Sequence, residues 1–501
     1  MKNIRTIGTH YFFDESPLNF WGNLSFNRID RGIDYLVKNN FNSLFLLIPW
    51  GEFIGDEKDN FYVQDYCDKF YRYIVNSCSK KNIKLYIRLG YLWEARSVGS
   101  NTYERYRDFF IVDKHKESLK FLADYLFMVQ RDGGPNIKYF FSWEDLYWPI
   151  FHNWRNQNQQ QRIVLAEKSG FLDYIKLIKN DNLKLNSIPE LNTEETLLFC
   201  QFYDAVIHNK FFEIVRSAGI SIGFEYRVDS DHIFNKQIDG KDYAVYYHWN
   251  RSHYSINEKY IYFHQNFGGP MEKNLTAQQS FSQFQWSIRT YSPMYLHNEY
   301  PLIIDQFNYI DNTESDWAEA KQEQLENFFK LANNFSQRQN ISIALWSAID
   351  WTNNIIFNGS FSNGLLGWRI SKNSDNEILQ NDQSINLGLG ESIEQTLNLS
   401  IPENEEFNLI IRAKSISKKS IISFHLSDLV HHFEIEEDLK EYKITLFGFN
   451  KSIVKFEIDY GQVKIFEIKL YQKIFSQGGQ NIDGNNSLTH SNFLKIFGST
   501  E

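Results

Sequence analysis

The chain has 501 residues, too many for one ordinary domain and suited to a large domain with an appendage. Its 52 Lys and Arg against 62 Asp and Glu leave a formal charge of −10, without the basic footprint of a phosphate-backbone binder, so nucleic acid is not an expected partner. No run approaches the roughly 18 apolar residues needed to span a bilayer, and three cysteines are too few for a disulfide scaffold.

The opening segment, MKNIRTIGTHYFF, passes from a basic patch into a strand-like run with no apolar h-region and no small-residue cleavage site. The expected location is therefore the cytoplasm, or outside the cell by another route. Short β-branched or aromatic runs then alternate with longer segments of helical period: Ile4 to Phe13, Ser43 to Pro49, Lys84 to Leu89, Lys138 to Trp143, Ser221 to Phe224, Tyr243 to His248, Leu302 to Phe307 and Ser342 to Trp346. Phe26, Ile29, Ile33, Leu36 and Val37 form one intervening stripe, and Leu325, Phe328, Phe329, Ala332 and Phe335 another. Cys67 and Cys78 share a third, about 16 Å apart along a helix and out of disulfide reach. Eight βα units closing on themselves predict a (β/α)8 barrel over residues 1–356. Two long connections, Asp145 to Ile220 and Trp249 to Tyr300, follow C-terminal strand ends and are expected to overhang the barrel mouth.

After Trp351 the period changes. Segments such as FNLIIRAKS, SIISFHLS and SIVKFEIDY alternate at turn-like spacing, predicting an antiparallel β-sandwich over 357–472. Its opening, NGSFSNGLLGW at 358–368, resembles the start of carbohydrate-binding modules with galactose-binding-like jelly-roll folds. From 473 to 501 the chain is polar and rich in Gly, Asn and Ser, with one amphipathic patch at Phe493 to Phe497, and is expected to be a flexible tail.

In this fold the site lies at the C-terminal strand ends, and those ends are polar and aromatic. They supply Trp50 and Glu52 after run two, Arg88 in run three, and Trp143, Glu144 and Trp148 at run four. Glu225 follows run five, Tyr247 and Trp249 close run six, Asp305 and Gln306 end run seven, and Trp346 ends run eight. Aromatic residues make up 17% of the chain, many beside acids or amides, which suits sugars: their C–H faces stack on rings while their hydroxyls need polar partners. His248 and His253 lack metal-ligand spacing to a partner, and no G-x-S-x-G elbow or dinucleotide fingerprint occurs, so neither metal nor cofactor is expected.

This constellation over residues 4–352 resembles the retaining (β/α)8 glycosidases of clan GH-A, which include cellulases, mannanases and β-galactosidases. The resemblance implies a glycoside hydrolase acting on an oligo- or polysaccharide, with Glu144 as acid/base, Tyr246 or Tyr247 near the end of strand six, and Trp346 at the end of strand eight. Two departures stand out. The residue before the acid/base is Trp143 where the family has Asn. The family's P-x-x-I-x-E-F nucleophile segment reads Pro301-Leu-Ile-Ile-Asp305-Gln306-Phe307, which puts an amide at the nucleophile position. Three readings follow: Asp305 as a displaced nucleophile, re-aimed by a bulge at the strand end; a second carboxylate from elsewhere, such as Glu225 or Glu52; or a non-catalytic, glycan-binding barrel. Glu144 sits among Trp143, Tyr147 and Trp148, an apolar setting that favours the protonated form of an acid catalyst. The resemblance points to retention, for which the two carboxylates must stand about 5–5.5 Å apart, whereas about 6.5–9.5 Å gives inversion.

Overall fold

The computed structural model describes residues 5–90, 113–142, 170–179, 194–247, 261–264, 275–291, 302–311, 319–371, 383–397 and 401–498, with brief interruptions, and isolated positions between 158 and 167. Eight parallel strands close into a barrel in chain order: Ile7–His10, Ser43–Leu47, Lys84–Arg88, Ile137–Ser142, Ile222–Arg227, Ile261–His264, Leu302–Phe307 and Ser342–Leu345, the last pairing with the first. Sequences such as SLFLL and SIAL are continuous apolar runs because both faces of these strands are covered. Ser25 caps the first helix, Phe26–Lys38, its hydroxyl accepting from the Arg28 N–H. Of the stripe predicted there, Ile29, Ile33 and Leu36 are buried while Phe26 and Val37 lie at the exposed margin. Cys67 and Cys78 lie on the buried face of Asp65–Lys80, and neither is in a disulfide.

The sixth strand differs from expectation. Residues Lys241–Tyr247 pair antiparallel with Asp231–Ile238 in a hairpin outside the barrel. Asp239 and Gly240 form its turn, both at positive φ (51° and 73°), and Asp-Gly is the dipeptide that a two-residue hairpin of that hand selects. The barrel strand is instead the four-residue run IYFH, Ile261–His264, which pairs parallel with the strands on either side.

Strand alternation divides the barrel residues cleanly. Phe45, Tyr86, Phe140, Ile303 and Ala344 form a small cluster inside the barrel. Their chain neighbours, including Leu44, Leu46, Leu85, Ile87, Tyr139, Phe141, Ile304, Ile343 and Leu345, belong to the main core beneath the helices. Continuing the period of two carries Arg88, Ser142 and Trp346 to the lumen side at the C-terminal rim.

Beyond the barrel, two antiparallel sheets follow. One has the spatial order Arg369–Ser371, Ser392–Leu397, Ser452–Tyr460, Ser420–Leu426, Leu429–Ile435, and the other Ile385–Leu387, Val463–Tyr471, Ile401–Ser415, Lys440–Phe449. Ile393, Leu409, Phe424, Phe456 and Ile468 are among the residues of their shared apolar core. The NGSFSNGLLGW segment is a clasp: Asn358 Nδ2 donates to the carbonyls of Gly364 and Leu366, and Trp368 Nε1 donates to the Asn358 carbonyl.

The segment expected to be a flexible tail is folded onto the barrel. Ile474–Phe475 pairs with Trp351–Thr352, and Leu488–Phe497 forms a helix capped by Ser487. That helix fills the gap between the helix after strand seven, Leu325–Arg338, and the first helix: Phe493 meets Phe41 and Phe329, Phe497 meets Phe307 and Phe329, and Tyr35 Oη lies 2.7 Å from His490 Nδ1. The small amphipathic patch supplies the apolar face that the barrel's outer layer lacks after strand eight. The two sheets are thus inserted between the eighth strand and its helix, and the barrel domain is discontinuous in sequence.

A half-buried charged cluster joins barrel and sheets. Arg28 reaches Glu467 at 2.9 Å, Asp14 at 3.3 Å and Glu15 at 3.5 Å, and Lys469 reaches Asp14 at 2.8 Å. Asn23 adds a hydrogen bond to Glu15 (2.6 Å) and accepts one from the Gly359 N–H (2.9 Å).

Candidate active site

The seventh strand carries the decisive irregularity. Ile304 pairs with Ile343 and Phe307 with Leu345, so Asp305 and Gln306 together face the single residue Ala344 across the ladder. This is a β-bulge of one extra residue. Without it, the alternation that puts Ile303 inside the barrel and Ile304 outside would also put Phe307 inside. With it, Phe307 packs outward on Phe284, Phe328 and Phe329, while Asp305 keeps the lumen parity of Ile303. Asp305 and Gln306 are both buried, at 0% and 2% exposure.

Around Asp305 the strand ends converge. His10, the last residue of strand one, places Nε2 at 4.0 Å from Asp305 Oδ2. Its ring stands between Phe45, at 5.2 Å, and Trp346, at 4.9 Å. Trp346 is half-buried, and its carbonyl accepts a hydrogen bond from Asn308 Nδ2, so the end of strand seven fixes the end of strand eight. On the neighbouring strand ends, Ser142 Oγ donates to Glu225 Oε1 at 2.9 Å, and both side chains are fully buried. Arg88 is likewise buried on the lumen side of strand three. A carboxylate on a bulge, a second carboxylate two strands away, a guanidinium and a partly open indole are the components of a site for a polar, ring-shaped substrate.

Other expected residues are placed elsewhere. Trp50 lies in the main core, 4% exposed, with its ring against Phe211, so it is packing rather than a stacking platform. Glu52 turns away from the lumen: Tyr66 Oη donates to its carboxylate at 2.5 Å, and the site is enclosed by Gly22 and the adjoining Phe357. The sequence places both after strand two, but Trp50–Phe53 forms a helical turn that breaks the strand alternation. Tyr247 ends a hairpin strand and not a barrel strand. Trp143, Glu144, Trp148 and Trp249 lie outside the described residues. Asp350 anchors the C-terminal strap by accepting from the Gly478 N–H at 2.7 Å, and burial pushes its carboxyl up to about 6. The sequence reading misses His10: the first strand-like run reads on to Phe13, whereas the barrel strand ends at His10, on the C-terminal rim.

No family model and no curated protein matches the sequence. Among solved structures, an endoglucanase superposes on 69% of this chain and 89% of its own, with 12% identity and a TM-score of 0.41. A beta-glucosidase matches 69% and 88% at 12% identity and 0.38, and a broad-specificity endoglucanase from Clostridium longisporum matches 68% and 86% at 11% identity and 0.39. Likeness at this level carries no inference about residues, and the barrel rests on strand order alone.

Proposed function

We propose that the chain is a glycoside hydrolase that cleaves O-glycosidic bonds of an oligo- or polysaccharide, with Asp305 as its nucleophile. The observation that carries this reading is the lumen parity of Asp305, which follows Ile303 to the inside of the barrel and lies buried beside His10, although Gln306 occupies the position where the resembling enzymes hold their glutamate. In this mechanism an acid at the mouth, Glu144 by its place in the sequence, protonates the departing glycosidic oxygen. The Asp305 carboxylate attacks the anomeric carbon, and the same Glu, now a base, takes a proton from the water that hydrolyses the resulting ester. Trp346 offers a ring face for the sugar, and Arg88 and Glu225 offer polar contacts for its hydroxyls. The inserted sheets are read as a β-sandwich like those of carbohydrate-binding modules; the half-buried Arg28–Glu467 pair at their junction with the barrel supports a buttressing role for it.

Turnover of a glycan panel by Asp305→Asn and Gln306→Glu tests the reading. Asp305→Asn is expected to lose at least about a hundredfold, since an amide cannot form and release the covalent ester, and Gln306→Glu is expected to gain nothing. Hydrolysis created by Gln306→Glu in an otherwise inactive chain favours the non-catalytic, glycan-binding barrel instead.

A further inference from the structure

We propose that His10 is the positioning residue of Asp305, holding its carboxylate in the lumen and coupling the ionisation of the two side chains. The proposal rests on Asp305 acting as nucleophile, and it assigns a role to a strand-one residue that the carboxylate pair alone does not require.

Alternation directs Asp305 to the lumen, but the ladder is irregular immediately after Ile304, so its side chain is better fixed by a second restraint from across the barrel. His10 supplies one. It is 3% exposed, its Nε2 is 4.0 Å from Asp305 Oδ2, and Phe45 and Trp346 flank its ring and limit its rotation. The separation is that of an ion pair rather than a hydrogen bond. A protonated imidazole there stabilises the carboxylate, and a carboxylate there stabilises the imidazolium. The other charged side chains described on the lumen side of these strand ends are Arg88 and Glu225, with the Tyr86 phenol one layer below. Substituting one partner at a time therefore isolates the pair from these groups. Because His10 also touches Trp346, the same imidazole links the nucleophile to the indole that would carry the sugar.

Two measurements on the full-length chain decide the matter. In the first, the histidine ring signals are titrated by NMR, the His10 signal being assigned by its absence from His10→Asn. Asp305→Asn is expected to move the His10 titration to lower pH than in the unsubstituted chain, because a stabilising negative charge is gone. Coincident curves, flat ones included, overturn the proposal. In the second, the pH profile of kcat/KM is compared between the unsubstituted chain and His10→Asn, with His10→Phe as the variant that keeps a ring between Phe45 and Trp346. Both variants are expected to shift the acid limb to higher pH and to lower kcat about tenfold or more, with a smaller change in KM. An unchanged limb and kcat in His10→Phe overturn the proposal. If no glycan is turned over, the NMR shift still establishes the pair and only the hydrolase reading fails; if glycans are cleaved and the curves coincide, the hydrolase reading stands and the positioning role falls.

Discussion

Two buried carboxylates, Glu15 and Asp305, are both almost without solvent exposure and sit in different company. Glu15 lies at the junction of barrel and sheets, with Arg28 at 3.5 Å, hydrogen bonds from Asn23 and Asn354, and burial that pushes it up to about 7 against the pull of Arg28. Its neighbour Asp14 is also raised by burial, but Arg28 and Lys469 outweigh that and hold it below its usual value. Asp305 sits on a bulge at the barrel rim, with His10 at 4.0 Å and the half-open Trp346 behind it. A carboxyl near 7 is commonly a mark of an acid catalyst, yet here it belongs to an interface. Burial and a displaced proton equilibrium therefore do not identify the chemistry; convergence on the lumen does.

The strongest way to break this contrast is to remove the charge at the centre of the junction. Arg28→Met leaves Glu15 without its cation and Asp14 and Glu467 with Lys469 alone, and a loss of about 2–3 kcal/mol is expected in denaturant unfolding, with turnover per folded molecule unchanged. Turnover falling in step with Asp305→Asn would mean that the two regions are one site.

A smaller effect is expected at the strap, which connects the two regions through the loop after Trp346. The N–H groups of Gly479 and Gln480 donate to the carbonyls of Ser347 and Ala348. A Cβ at Gly478 would meet Ile349 C at 2.0 Å and Asp350 N at 2.1 Å. Gly478→Ala is therefore expected to destabilise by about 1–3 kcal/mol, as other overpacked sites do, and thermal unfolding checks it. An unaltered melting temperature would return the C-terminal segment to the status of a loose tail.

The gentlest test is of pH. Glu15 is raised from 4.5 to about 7 on folding, so the folded state binds its proton more tightly. The stability this contributes is fully present below about 4.5 and is lost as pH rises through about 7. Glu15→Gln should flatten that part of the stability profile; a profile identical to that of the unsubstituted chain between those limits would contradict the assignment.

Much of this architecture is legible in the sequence where one physical signal dominates. Seven of the eight barrel strands follow from short apolar runs, since strands buried on both faces read that way, and the alternating segments after Phe357 announce the sheets. The sixth strand was obscured because IYFH is only four residues long, while the better-looking run at Tyr243 belongs to an Asp-Gly hairpin. The eighth helix was obscured because its apolar face, Phe493 to Phe497, is short and lies in a polar setting, and its partners Phe41, Phe307 and Phe329 are remote in the chain. At the site, Asp305 is visible as an acid beside an amide and alternation from Ile303 sends it inward, but the outward turn of Phe307 just after it depends on a bulge that only the ladder to Ser342–Leu345 reveals. Trp50 and Glu52 mislead for the opposite reason: the strand period stops at Pro49, and a helical turn sends both side chains into the core.

In the proposed mechanism Asp305 is the residue that bonds to sugar. An activated 2-deoxy-2-fluoro glycoside, matched to whichever glycan the chain turns over, slows release of the covalent intermediate so that peptide mass spectrometry can locate it. A single glycosyl ester is expected on the peptide containing Asp305, absent from Asp305→Asn. An ester on Glu225 or another carboxylate, or continued turnover of the natural glycan by Asp305→Asn, would contradict it.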